Sequence, residues 1–185
     1  MFSFLLMESL IRMILNTSFF GVGIDESNHG QFPEIFVATF SFDKEDFLDN
    51  FPIKKKISKT SPIKKFQKNY NYLIAIENDY ERLAPREFMG VLTSSLIYDK
   101  REEFPENLIV FIDGYMKNSS KIYTRDLISD FCSFNKNNIF VHSGADFDRT
   151  YPIVNYSDAI ARHLFRRNCS LKELSKDSER RYFLR

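Results

Sequence analysis

The chain has 185 residues, 26 Lys and Arg against 25 Asp and Glu, and a formal net charge of +1. That length accommodates one domain whose core needs no disulfide or metal staple. With 43% hydrophobic and 28% charged residues, a disordered chain and a multispanning membrane protein are both excluded. A net charge near zero also excludes a uniformly basic protein, though not a local basic patch.

Residues 1–16, MFSFLLMESLIRMILN, are apolar but interrupted by Glu8 and Arg12. The stretch is too short for a membrane helix and lacks the basic start and small-residue cleavage site of a signal peptide. It reads as an N-terminal extension: an amphipathic helix, an interfacial anchor, or residues ahead of a true start at Met13. The domain proper is expected over 17–168. Residues 17–26 and 34–42 are apolar, aromatic and β-branched, and the SNHGQFP connection between them predicts an antiparallel hairpin. Asp43 is positioned to cap a short helix, and residues 70–77 alternate as a third strand. Apolar positions 88, 89, 92, 96 and 97 predict a helix from Pro85 to about Tyr98. LIVFIDG at 108–114 is a continuous apolar run, the pattern of a strand buried on both faces and paired in parallel. Ser119 or Ser120 is expected to cap the next helix, which runs past Phe131 and carries Cys132. Residues 138–143 form a fifth strand, and Pro152 opens a helix to Arg167. Residues 169–185 are a charged helix or tail. Cys132 and Cys169 show no metal-ligating spacing and read as free thiols of a reducing, cytoplasmic compartment.

Between the second and third strands, residues 51–69 hold seven lysines, at 54, 55, 56, 59, 64, 65 and 68, and no acid. Two prolines argue against a regular element there. This basic loop reads either as a solvated hairpin connection or as a surface that contacts phosphates, since lysine clusters hold nucleic-acid backbones without reading sequence.

The acids fall in a pattern of their own. Asp25 and Glu26 end the first strand, Asp113 ends the fourth, Asp146 and Asp148 follow the fifth, and Asp158 interrupts the last helix on the side of Val154, Ala161 and Phe165. Carboxylates are normally excluded from such positions. If the first and fourth strands are parallel neighbours, Asp25 and Asp113 lie side by side, where a cation must relieve their repulsion. All-oxygen ligands favour Mg²⁺ or Mn²⁺. Two such ions, roughly 3.5–4 Å apart, activate a water and stabilise the leaving oxygen in phosphodiester cleavage. Each acid singly has an ordinary structural explanation, such as Asp-Gly turn chemistry at Asp113; their joint placement is what points to a shared metal site.

These segments also resemble a family. GVGIDESNHG resembles the first-strand motif of type 2 ribonuclease H, an Asp-Glu pair followed by a glycine-rich turn. VFIDG resembles that family's fourth-strand aspartate. GADFDRTYPIVNYSDAIARHLFRR resembles its last motif, an aspartate followed by a helix with a basic end. The element order β-β-β-α-β-α-β-α is likewise that of the ribonuclease H fold. The resemblance implies an α/β, ribonuclease H-like domain with a mixed five-stranded sheet, three antiparallel strands and then two parallel ones, with helices packed on it. It implies that Asp25, Glu26, Asp113 and Asp146 are catalytic and bind Mg²⁺ or Mn²⁺, with Asp148 as the other match for the last position. SDAIA at 157–161 is similar to the last helix of other small ribonuclease H-fold proteins, which makes Asp158 the final ligand instead.

The chain departs from type 2 enzymes at the turn. Their Gly-Arg-Gly is replaced by Asn28, His29 and Gly30, so only the last position keeps the pattern. His142 reads as a packed residue with a hydrogen-bond partner. The expected nucleic-acid contacts are Asn28, His29 and Gly30, the loop lysines Lys54, Lys55, Lys56, Lys64 and Lys65, and Arg162 and Arg166 on the last helix. The expected function is metal-dependent hydrolysis of phosphodiester bonds, most readily the RNA strand of an RNA/DNA hybrid. A nuclease of another substrate, or a non-catalytic module of the same fold that binds nucleic acid or a protein partner, is the alternative.

Overall fold

The computed structural model describes residues 18–27, 34–46, 69–75 and 85–167. The extension 1–16, the basic loop 51–68 and the tail 169–185 lie outside the described residues.

Five strands form one mixed sheet: β1 (Phe19–Ser27), β2 (Glu34–Ser41), β3 (Tyr70–Ala75), β4 (Asn107–Asp113) and β5 (Ile139–Gly144), in the order β3-β2-β1-β4-β5. β1 pairs antiparallel with β2, and β2 with β3. β4 joins β1 in parallel, Ile24 opposite Ile112, and β5 joins β4 in parallel. The central strands β1 and β4 are apolar on both faces because both faces are covered, which is why LIVFIDG shows no alternation.

Helix α1 (Pro85–Tyr98) and helix α2 (Asn118–Cys132) cover one face. There Phe88, Leu92 and Leu96 of α1 and Ile128 of α2 meet Phe20, Val22, Ile24, Phe40 and Val110 of the sheet. Each such side chain, fully buried, contributes roughly 1.5–3 kcal/mol. A single-turn helix α3 (Phe147–Thr150) and helix α4 (Pro152–Arg167) cover the other face. Here Ile153, Val154, Ile160 and Ala161 pack on Phe19, Ile109, Phe111, Ile35 and Val37.

The expected elements are present with three differences. The helix expected from Asp43 is a 3-10 turn, Lys44–Asp46, in which Ser41 Oγ donates to the buried Asp46 at 2.7 Å; the rest of that segment lies outside the described residues. Helix α2 starts ahead of Ser119 and Ser120. Its cap position is Lys117, which makes no side-chain cap bond because an ammonium group has no acceptor; the preceding Met116 N–H donates to Ser143 Oγ at 3.0 Å. The short α3 is an addition to the expected elements, since four residues carry no readable periodicity.

Among the described residues no helix is long and apolar enough to cross a membrane.

Candidate active site

Side chains alternate along a strand, so residues two apart share a face. On β1, Phe19 and Asp25 lie on the α4 face. On β4, Ile109, Phe111 and therefore Asp113 lie on the same face. Ile24 pairs with Ile112, so Asp25 and Asp113 are the next step in the parallel register at the same end of the sheet. Asp25 is 3% exposed. Burial, followed by the charges of Glu26, Asp113 and Asp158, pushes its carboxyl up to about 9; only the Glu26 N–H, donated to Oδ1 at 2.8 Å, acts the other way.

Two devices bring α4 to these strands. Gly23 makes a close approach possible: a Cβ there would lie 2.6 Å from the Ile153 carbonyl carbon and oxygen. A pair of buried hydroxyls then fixes the helix. Thr39 Oγ1 donates to the Ile153 carbonyl at 2.8 Å, Ser157 Oγ donates to the Gly23 carbonyl at 2.7 Å, and the two hydroxyl oxygens stand 2.9 Å apart. Asp158 is the next residue after Ser157, and its charge acts on both Asp25 and Asp148. Its side chain, 14% exposed, accepts from Arg162 Nε at 2.6 Å, an i,i+4 pair.

Helix α3 delivers the fourth acid. The Asp148 N–H donates to Asp113 Oδ1 at 3.3 Å, and Asn155 Nδ2 donates to the Asp148 carbonyl at 2.8 Å. Burial and the charges of Asp113 and Asp158 raise the Asp148 carboxyl, and Arg149 opposes them. An aromatic floor seats the turn: Phe111 stacks on Tyr151 at 4.4 Å, and Phe147 meets Tyr151 edge-on at 4.8 Å.

Asp25, Asp113, Asp148 and Asp158 thus form one electrostatically linked group, with Glu26 beside Asp25. Asp146 is placed differently. It adopts a left-handed conformation, φ 64°, and turns its carboxylate to solvent, 66% exposed, against Arg149 at 3.2 Å. Its charge acts on Asp148 but not on Asp25. Among the described residues no three His, Cys, Asp or Glu side chains converge as a metal-ligating group, so ligation requires these carboxylates to rotate toward one another. Their chemistry suits a hard divalent ion: every donor is a carboxylate oxygen, and among the described residues no cation offsets the charge of buried Asp25.

Of the expected nucleic-acid contacts, Arg162 and Arg166 lie among the described residues, one turn apart on α4. Arg162 is exposed and engaged with Asp158, and Arg166 is exposed further along α4. Asn28, His29 and Gly30, and Lys54, Lys55, Lys56, Lys64 and Lys65, lie outside the described residues. His142 is packed as expected, stacked on Phe111 at 5.7 Å, but its Nε2 has no partner among the described residues. Burial, with help from Lys121, lowers it to about 4, so it is neutral at physiological pH. Cys132 closes α2 as a buried thiol, raised by burial to about 11.

Sequence reading misses Gly23, Thr39 and Ser157. A signal is present in the glycine, because a glycine inside a strand marks close approach of another backbone. The hydroxyl pair has none, since its partners are more than a hundred residues apart.

No protein-family model and no curated protein matches the chain. Among solved structures it is similar to that of the PCNA:RNase HII complex from Archaeoglobus fulgidus, with a TM-score of 0.50 and 18% identity over 80% of this chain and 73% of that one. At that identity the likeness concerns the fold, which is ribonuclease H-like.

Proposed function

We propose that the protein is a divalent-metal-dependent nuclease that hydrolyses the RNA strand of RNA/DNA hybrids. The observation that supports this most is a buried Asp25 on which Glu26, Asp113 and Asp158 all act and on which no cation among the described residues acts. Clustering like charges in a low-dielectric site is unfavourable unless a ligand of opposite charge offsets the repulsion. In this reading Asp25, Glu26 and Asp113 hold Mg²⁺ or Mn²⁺ together with Asp148 and Asp158, and Asp146 stands at the rim. When bound, such ions supply an activated water and neutralise charge building on the scissile phosphate. Asp113 orders the site by accepting the Asp148 N–H. Arg162 balances Asp158 and lies ready to receive a phosphate. The lysine loop holds the nucleic-acid backbone.

The test is cleavage of labelled RNA/DNA hybrid, duplex RNA, duplex DNA and single strands with Mg²⁺ or Mn²⁺, with Asp113→Asn in parallel. Wild-type protein should cut the hybrid, and the variant should lose about a thousand-fold in rate. That figure corresponds to several kcal/mol of charge stabilisation at about tenfold per 1.36 kcal/mol. Cleavage of a different substrate would keep the site and change the substrate. No cleavage by folded wild-type protein would sink the enzyme reading.

A second reading is a non-catalytic nucleic-acid- or protein-binding module. Replacement of the Gly-Arg-Gly turn by Asn28, His29 and Gly30 favours it. Salt-sensitive binding without metal-dependent cleavage would support it.

A further inference from the structure

Tyr115 follows Asp113 by two residues and is 82% exposed, the most exposed large apolar side chain among the described residues. Two other exposed aromatic rings are occupied. Phe42 lies 4.7 Å from the Phe20 ring, and the Arg101 guanidinium sits 4.0 Å over Tyr98. Tyr115 makes no ring contact or hydrogen bond among the described residues.

The chain on either side of Tyr115 is pinned. Gly114 turns the backbone at φ 90°, a left-handed conformation that favours glycine, and its N–H donates to the Gly144 carbonyl at 3.2 Å. Met116 donates its N–H to Ser143 Oγ and is buried against the α2 side of the core. The ring is therefore held in solvent by a loop tied twice to the end of β5, and presenting it to a ligand costs little ordering entropy. Between Asp113 and Asp126 the chain carries Lys117, Lys121 and Arg125; Arg125 is paired with Asp126, and Lys117, two residues from Tyr115, is exposed.

We infer that Tyr115 is a stacking platform for a base of the bound nucleic-acid strand, with Lys117 receiving a neighbouring phosphate. This rests on the nuclease reading and adds to it a contact on the α2 side of the acids. Stacking tolerates every base, because each has a π-face, and a lysine contributes phosphate affinity without sequence preference. Together they grip a strand beside acids that would otherwise repel its backbone.

The experiment uses the full chain in EDTA, where no cleavage occurs, with RNA/DNA hybrids and single strands carrying 2-aminopurine at successive positions. The absence of tryptophan leaves the probe fluorescence unobscured. Wild-type binding should quench the probe at one or two adjacent positions. Tyr115→Ala should abolish that quench and weaken binding roughly ten-fold, the order expected for one stacked base, while Tyr115→Phe retains both. Lys117→Ala should flatten the logarithmic salt dependence by about one phosphate contact. If Tyr115→Ala binds and quenches as wild type does, the inference is wrong and the nuclease reading stands. If wild-type protein neither binds nor cleaves any nucleic acid, both fall.

Discussion

Asp25→Asn should make the protein more stable and abolish its metal-dependent activity. The unfolded carboxyl titrates near 3.8, and the folded one is pushed up to about 9. The folded state therefore binds the proton more tightly. The stability associated with Asp25 is fully present below about pH 4 and is lost as pH rises toward 9. An asparagine keeps the acceptor for the Glu26 N–H and places an amide donor among carboxylates, without a charge to bury. In metal-free buffer the variant should match wild type below about pH 4 and exceed it increasingly from there up to about pH 9. At about pH 9 the difference should be on the order of several kcal/mol, because each tenfold change in proton affinity corresponds to about 1.36 kcal/mol. Thermal unfolding at a series of pH values measures it. Equal slopes for the two proteins would show that Asp25 is not held against its charge. Mn²⁺ should raise the melting temperature of wild type, because a ligand that binds only the folded state stabilises it. An equal rise in Asp25→Asn would remove Asp25 from the ligand set.

Gly23→Ala is expected to be the most damaging single methyl in the domain. The added carbon would meet the Ile153 carbonyl at 2.6 Å and the Val154 nitrogen at 2.8 Å, and both are backbone atoms that no rotamer change can move aside. Helix α4 must then lift from β1. Lifting it stretches the bonds from Ser157 to Gly23 and from Thr39 to Ile153. Overpacking costs about 1–3 kcal/mol, and stranding a buried hydroxyl adds about 1–3 kcal/mol. A total of about 4 kcal/mol corresponds to a fall of roughly 10 °C in Tm for a chain of this size. Because Asp158 follows Ser157, the same displacement should weaken Mn²⁺ binding in the protein that remains folded. A Tm within about 2 °C of wild type, less than one kcal/mol at this size, would show that the close approach at Gly23 does not hold α4 in place.

Much of this architecture is legible in the residues themselves. Strands β1 and β4 are written as apolar runs ending in acids, and α1 and α4 as helical spacing opened by proline. These are local signals: backbone preference and the period of side-chain burial act over a few residues. That β4 is buried and paired in parallel is legible in its being apolar on both faces, whereas its seat beside β1, and with it the adjacency of Asp25 and Asp113, comes from the sheet topology. The Arg162–Asp158 pair is also present in the spacing, as two opposite charges four residues apart on one helix.

Local pattern thus sets the order of the elements and marks which strand ends carry acid. The choice of which later acids turn inward is made by long-range packing. Asp146 and Asp148 are two residues apart in a segment without periodicity, so no pattern orients them. A left-handed residue at 146 and one turn of helix seated on Phe111 and Tyr151 send the Asp146 carboxylate to solvent and set Asp148 beside Asp113, whose Oδ1 accepts the Asp148 N–H. The depth of Asp25 and the seat of α4 are likewise settled in space. Each depends on a contact between residues remote in sequence, Gly23 with Ile153 and Thr39 with Ser157, and such contacts leave no local signature.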